Sequence, residues 1–178
     1  AAPRTPEGVP KRPAGTIAPM DASDLSLVLC IVLSGLWSGL LLAVTNLLHP
    51  VFRALDPPDF AAALQRFLPV ARRAPANWVV VIGLLVAPAV ALATVPAGSG
   101  AFVLTAVGLA FCIAGPLVVS NRLAEPNYDV IAHWDPADMP ADWCAARRRY
   151  FLFNWVRAAA TWTAFALFVA AAFCSWTS

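Results

Sequence analysis

Three long stretches of this chain carry no formal charge, and they leave little choice of fold. Residues 25–52, 74–121 and 158–178 contain no Asp, Glu, Lys or Arg. A helix rising 1.5 Å per residue needs about 20 apolar residues to cross a hydrocarbon layer roughly 30 Å thick. The first stretch therefore predicts a span over about 25–48. The second is long enough for two crossings and is interrupted by VPAGSG (Val95–Gly100), whose proline and glycines form turns, so it predicts a hairpin of helices at about 77–95 and 101–120. The last span is extended backwards by helix formers and starts in the interface, giving a helix over about 142–174. The expected fold is all-α: a four-helix transmembrane bundle, up-down-up-down, with both termini on one side. Composition agrees, since 60% hydrophobic and 12% charged residues lie far from the roughly 25% charged of a soluble domain, which could not hide so much apolar surface.

The rest divides simply. Pro3, Pro6, Pro10, Pro13 and Pro19 make residues 1–23 an extended tail without a core of its own, and residues 24–178 the membrane domain. If such a tail is ordered, it should lie along another protein surface, which makes partner membrane subunits possible. Pro88 and Pro116 fall inside predicted spans and should kink them. The net charge of +2 gives no basic face for nucleic acid. Cys30, Cys112, Cys144 and Cys174 show no metal-ligand spacing, and only two histidines, His49 and His133, are present, so the sequence implies neither a metal nor a cofactor.

Arginine counting sets an orientation. Arg53, Arg66, Arg72, Arg73, Arg122, Arg147, Arg148 and Arg149 stand on the side of the two long loops, against Arg4, Lys11 and Arg12 on the side of the termini. The expectation is that the loops are cytoplasmic and the termini outside, in a bacterial inner membrane or another energy-transducing membrane.

Polar residues inside the spans gather on single faces. On the first helix Ser34, Ser38, Thr45 and His49 form a stripe that Gly35, Gly39 and Asn46 extend. Close helix packing accounts for the Ser and Gly positions, whereas His49, at the cytoplasmic end, is equally a satisfied interfacial histidine or a base or ligand. On the last helix Arg147, Tyr150, Asn154, Arg157 and Thr161 share a face by their 3-4-3-4 spacing. Arg157 lies beyond the aromatic residues Tyr150, Phe151, Phe153 and Trp155, where an unpaired charge costs about 3 kcal/mol or more unless it snorkels to the interface. The third helix aligns Thr105, Gly108, Cys112, Gly115 and Arg122, and Asn77 opens the second. An up-down bundle then brings His49, Asn77, Arg122, Asn154 and Arg157 into one layer, the mixture of donors and a base found in small-molecule sites. The long segment from Asn121 to Asp142, with Asn127, Tyr128 and His133, reads as a loop over that layer.

The order of four hydrophobic helices, the Asn121-Arg122-Leu123 segment after the third, and a Trp/Arg-rich stretch leading to Asn154-x-x-Arg157 resembles the anthrone-oxygenase-like family of membrane proteins. That resemblance implies a four-helix membrane fold and, for some members, cofactor-independent oxidation of an anthrone by O₂. It singles out Asn121, Arg122, Asn154 and Arg157, with His49 where the family often has a polar residue. The chemistry needs a base to remove a benzylic proton and donors for the resulting oxyanion. His49 fits the base, Asn154 and Arg157 the donors, and Asn46, Asn77, Asn121, Arg122 and Tyr150 the binding of a hydrophobic aromatic ligand. The alternative is a non-catalytic subunit of a membrane complex.

Overall fold

The computed structural model describes residues 20–177; the tail expectation for residues 1–19 and the last residue lie outside them. Five helices account for nearly all of it. Helix α1 covers Ala22–Ala54, α2 Pro57–Arg73, α3 Pro75–Thr94, α4 Gly100–Ala132 and α5 Trp143–Trp176. All but α2 are long and apolar enough to cross a membrane, and they form an up-down-up-down four-helix bundle. In cross-section α1 neighbours α3 and α5, and α4 packs against the same two.

Local chemistry fixes the helix ends. Asp21 caps α1 by accepting the Asp24 amide at 2.8 Å, and that bond together with the Ser23 hydroxyl, its larger partner, holds the carboxyl below its ordinary value. Ser99 caps α4 by accepting the Phe102 amide at 3.1 Å. Between α3 and α4 the turn runs through Gly98 at φ +82°, a left-handed conformation that glycine adopts without strain. Ser26 of α1 bonds Thr94 of α3 at 3.1 Å and Trp176 of α5 bonds Asp24 at 2.9 Å. The first and last spans thus begin and end at one side of the bundle.

The core between the spans is built on Leu27, Trp37, Leu41, Leu84, Ala91, Cys112, Ala164 and Phe168. Leu25, Leu29, Val32 and Leu36 on α1, and Val79, Ile82, Val86 and Val90 on α3, point outward and exposed. An outer face this apolar is what a lipid solvent requires.

At the opposite end the helices run further than the charge-free stretches predict. The first span continues past residue 48 to Ala54, and the third past residue 120 to Ala132. The segment 121–142 is therefore mostly helix, with only residues 133–142 connecting α4 to α5. Asp142, expected to open the last helix, is its cap, and Trp143 is the first helical residue. Helix α2, between the first two spans, is amphipathic: Phe60, Ala61, Leu64 and Leu68 are buried while Asp59, Arg66 and Arg73 face outward. These apolar residues join Phe52, Tyr128, Ile131, Trp134, Ala146 and Tyr150 in a second core at this end of the bundle. Gln65 of α2 donates to the Trp134 carbonyl at 2.7 Å. Arg72 pairs with Asp129 at 2.7 Å and with Glu125 at 2.6 Å; burial opposes its charge, but these two carboxylates outweigh that and raise its pKa. Exposed pairs of this kind contribute about 0–1 kcal/mol, so the apolar contacts of α2 dominate its docking. Arg147 of α5 completes the layer by donating to the carbonyls of Phe52 and Arg53 at 2.8 Å each and of Leu55 at 3.1 Å, satisfying the end of α1.

Two wide turns interrupt the regular helices. Residues Val44–Leu48 in α1 and Ile113–Ala124 in α4 are π-helical. Each ends two residues before a proline: the His49 amide reaches back to the Val44 carbonyl ahead of Pro50, and the Glu125 amide to the Ser120 carbonyl ahead of Pro126. Proline lacks the donor for an i−4 bond and its ring crowds that carbonyl, so a wider turn ahead of it relieves both problems. Pro116 lies inside the second wide segment, the local distortion expected of that proline.

Candidate functional site

His49 follows directly on the wide turn of α1 and is fully buried. Its ring lies against three aromatic residues of α5, with centroid distances of 4.9 Å to Phe151, 5.8 Å to Tyr150 and 6.3 Å to Trp155. Neither imidazole nitrogen has a hydrogen-bond partner among the described residues. Buried polar atoms are paired in the great majority of cases, and each orphan costs about 1–3 kcal/mol.

Tyr150 links this histidine to a polar chain. Its ring is 5.6 Å from that of Tyr128 on α4, and the Tyr128 hydroxyl donates to Asn154 Oδ1 at 3.3 Å. The amide nitrogen of Asn154 donates back to the Tyr150 carbonyl at 2.8 Å. Arg157 donates from Nη1 to the Tyr128 oxygen at 3.3 Å, while its Nε is buried without a partner. Among the described residues the ion pairs belong to Arg72, and no carboxylate pairs with Arg157. The guanidinium is therefore turned toward a neighbouring helix, with a phenol in place of a counter-ion and one donor still open.

The approach of α4 to α5 at this level depends on Gly115. A Cβ there would stand 2.5 Å from the Cβ of Ala160 and 3.6 Å from the Arg157 carbonyl oxygen, so only glycine lets the backbones come this close.

The residues expected in one layer separate into two groups. His49, Tyr150, Asn154 and Arg157 come together. Asn77 instead ties the junction of α2 and α3, donating to the Ala71 carbonyl at 3.0 Å. Asn46 and Asn121 are exposed and bond to their own helices, at Leu42 and Leu117, and Arg122 is exposed. Reckoning 100° per residue places Arg122 with Gly115, but the π-helical turns between them turn less per residue and carry Arg122 off the bundle face; Asn46 stands 100° from the buried Thr45 and only flanks that face. The same shift brings Ala124, Tyr128 and Ile131 inward, spaced by four and three. Tyr128, read in the sequence as part of a covering loop, is thus the central link of the polar chain. Asn127 beside it is also buried and holds the Ala146 carbonyl at 3.1 Å. His133 is exposed, its Nδ1 bonded to the Asp129 carbonyl at 2.7 Å. The hydroxyls of Ser34, Thr45, Thr105 and Thr161 bond back to carbonyls of their own helices, as expected of small polar residues that serve packing. Among the described residues no group of three or more His, Cys, Asp or Glu side chains is placed to hold a metal ion.

Two clefts open at the arginine-rich end. One, of about 520 Å³, lies beside Arg53, Trp143, Arg147 and Phe151. The other, of about 380 Å³, lies beside Arg122, Asn127, Asp142 and Arg149. Neither is lined by His49, Asn154 or Arg157, and the wall between the first cleft and the imidazole includes the Phe151 ring.

Comparison of the chain with protein-family models, with curated proteins and with solved structures finds no match. The chemistry of the layer itself therefore carries the functional reading.

Proposed function

We propose that this membrane protein oxidises a flat, hydrophobic anthrone-like substrate with O₂, without a cofactor. The observation that carries this reading is the buried imidazole with two open nitrogens, set in an aromatic wall next to an arginine–tyrosine–asparagine chain. His49 removes a proton from the methylene carbon of the anthrone, and Arg157, with Asn154 and Tyr128, stabilises the oxyanion that forms. The electron-rich anion reduces O₂ by one electron, the two radicals combine to a hydroperoxide, and loss of water leaves a quinone carbonyl. One O₂ is consumed per anthrone, with one oxygen atom retained and the other released as water. Phe151 is half-buried and Trp155 exposed, so these are the rings that a planar substrate entering from the bilayer displaces and stacks upon.

Oxygen uptake by the purified protein with an anthrone tests the reading. Turnover should fall about 10²–10³-fold in Arg157→Gln, and Arg157→Lys should recover little, because an ammonium lacks the planar fork that addresses Tyr128 and an oxyanion together. Equal turnover in all three proteins would overturn it.

The close contact of Phe151 with His49 favours a second reading, a non-catalytic subunit whose polar layer only holds the helices in register. Absence of uptake, together with stoichiometric foreign subunits in the native particle, would establish that role.

For orientation we propose termini outside and the arginine-rich layer in the cytoplasm of a bacterial-type inner membrane, on the excess of arginine at that end. A cysteine placed at the exposed Ala97 of the hairpin turn, in a chain with its native cysteines replaced by serine, should react with an impermeant maleimide in intact cells. Protection until the cells are broken would reverse the orientation.

A further inference from the structure

The larger cleft lies between the last turn of α1 and the first turns of α5, lined by Arg53, Trp143, Cys144, Arg147, Arg148 and Phe151. Three of the six residues are arginines and none is acidic. Among the described residues no carboxylate pairs with any of them. Arg147 is committed to the carbonyls of Phe52, Arg53 and Leu55, which cannot neutralise it. Arg53 is exposed and lies 4.9 Å over the Phe151 ring, and Arg148 is exposed. The cleft thus gathers positive charge that aromatic rings face but no carboxylate among the described residues neutralises.

Its depth says what kind of anion fits. The apolar run of α1 ends at Leu48, and Arg53 follows five residues later, about 7 Å further along the axis. The polar zone of each leaflet extends roughly 5–8 Å beyond the hydrocarbon, so a hydrocarbon boundary near Leu48 sets Arg53 among the headgroups. Phe151, one turn inward of Arg147 on α5 and against His49, offers an apolar wall below it, suited to glycerol and the first acyl carbons.

We propose that this cleft binds the headgroup phosphate of an anionic phospholipid, with Arg53 and Arg148 as its ligands and Phe151 against its glycerol backbone. The cleft shares the Phe151 ring with the His49 layer, but its ligands Arg53 and Arg148 lie outside that layer, and its occupancy does not depend on the oxidase reading. A zwitterionic lipid fits less well, because its cationic group would meet three guanidiniums and no carboxylate.

The experiment uses the full chain in phosphatidylcholine nanodiscs doped with phosphatidylglycerol, with lipids retained on the protein counted by native mass spectrometry. Phosphatidylglycerol should be retained in preference to phosphatidylcholine. Arg53→Gln and Arg148→Gln should each weaken retention about fivefold, the effect of one basic residue at an anionic surface, and the double variant correspondingly more. Both leave Arg147 and its contacts with α1 in place, and the single variants suffice if the double variant does not fold. The control is Arg66→Gln/Arg73→Gln, which removes the same charge from exposed positions on α2. An equal loss in the control would reduce the effect to general surface potential and overturn the site. So would equal retention of phosphatidylcholine, or displacement of the lipid by excess inorganic phosphate, which would make the ligand a free anion.

Discussion

Replacing His49 with leucine is expected to stabilise the protein and, on the proposed oxidase reading, to abolish oxygen uptake with an anthrone. A neutral imidazole carries one donor and one acceptor, and here both are buried without partners. Leucine removes that unmet demand, worth about 1–3 kcal/mol. Its volume is comparable, it has the higher helix propensity, and its neighbours Phe151, Tyr150 and Trp155 present apolar surface to it. Thermal unfolding of the purified variant should shift upward. Oxygen uptake with an anthrone should fall by about 10²–10⁴-fold, the contribution of a positioned general base. The pairing of the two measurements decides the matter. A histidine retained for packing would lose stability on replacement and leave turnover unchanged, whereas a histidine retained for chemistry does the reverse. Loss of stability with no change in turnover would remove His49 from the site.

The membrane spans were legible because hydrocarbon tolerates no unpaired backbone and little charge, so a charge-free run of span length has essentially one structure available. That criterion says nothing where the chain leaves the lipid. Helix α2 went unread for this reason, although Phe60, Leu64 and Leu68 recur at helical spacing behind Asp56 and Pro57, a start signal in its own right. Its internal Pro69 and its three arginines, which resemble a loop in a hydropathy reading, sit on the exposed side. The continuation of α4 to Ala132 was hidden similarly, because Glu125, Asn127 and Asp129 look like loop composition until Tyr128 and Ile131 are placed on the same buried face.

The site was legible where the helices are regular. The face of α5 from Arg147 through Tyr150, Asn154 and Thr161 follows the ideal period and points inward as reckoned. On α1 the same reckoning succeeds for Ser34, Thr45 and His49, while Asn46, 100° from Thr45 at the flank of the stripe, is exposed. On α4 it succeeds through Gly115 and fails at Asn121 and Arg122, inside a wide segment. The signal for the departure on α4 is a pair of prolines embedded in a helical pattern, Pro116 and Pro126. A proline inside a span changes more than a helix's direction: in α4 it shifts the register of the residues beyond it, so that Tyr128 rather than Arg122 faces Arg157.

That pairing also depends on how closely α4 and α5 approach, and Gly115→Ala should disturb it severely. The added methyl would lie 2.5 Å from the Cβ of Ala160, against about 3.5–4.0 Å for ordinary carbon contacts. Neither carbon can rotate away, since each is fixed to its helix backbone, so the helices themselves must part by more than an ångström. Overpacking of this kind costs about 1–3 kcal/mol, which alanine's better helix propensity of about 1 kcal/mol only partly offsets. Gly39→Ala isolates the propensity term, because a Cβ there meets nothing within 4 Å. The Gly39 variant should be neutral or slightly more stable, and the Gly115 variant less stable, in the same unfolding measurement. The consequence reaches the site as well. The new methyl would sit 3.6 Å from the Arg157 carbonyl oxygen and 3.8 Å from its Cα, so separation of the helices draws the guanidinium from Tyr128, whose bond at 3.3 Å has little distance to spare. Turnover in Gly115→Ala should therefore fall further than the remaining folded fraction accounts for, while Gly39→Ala retains full turnover. If the two glycine variants behaved alike in both stability and turnover, close approach of α4 and α5 would not be what holds Arg157 in place.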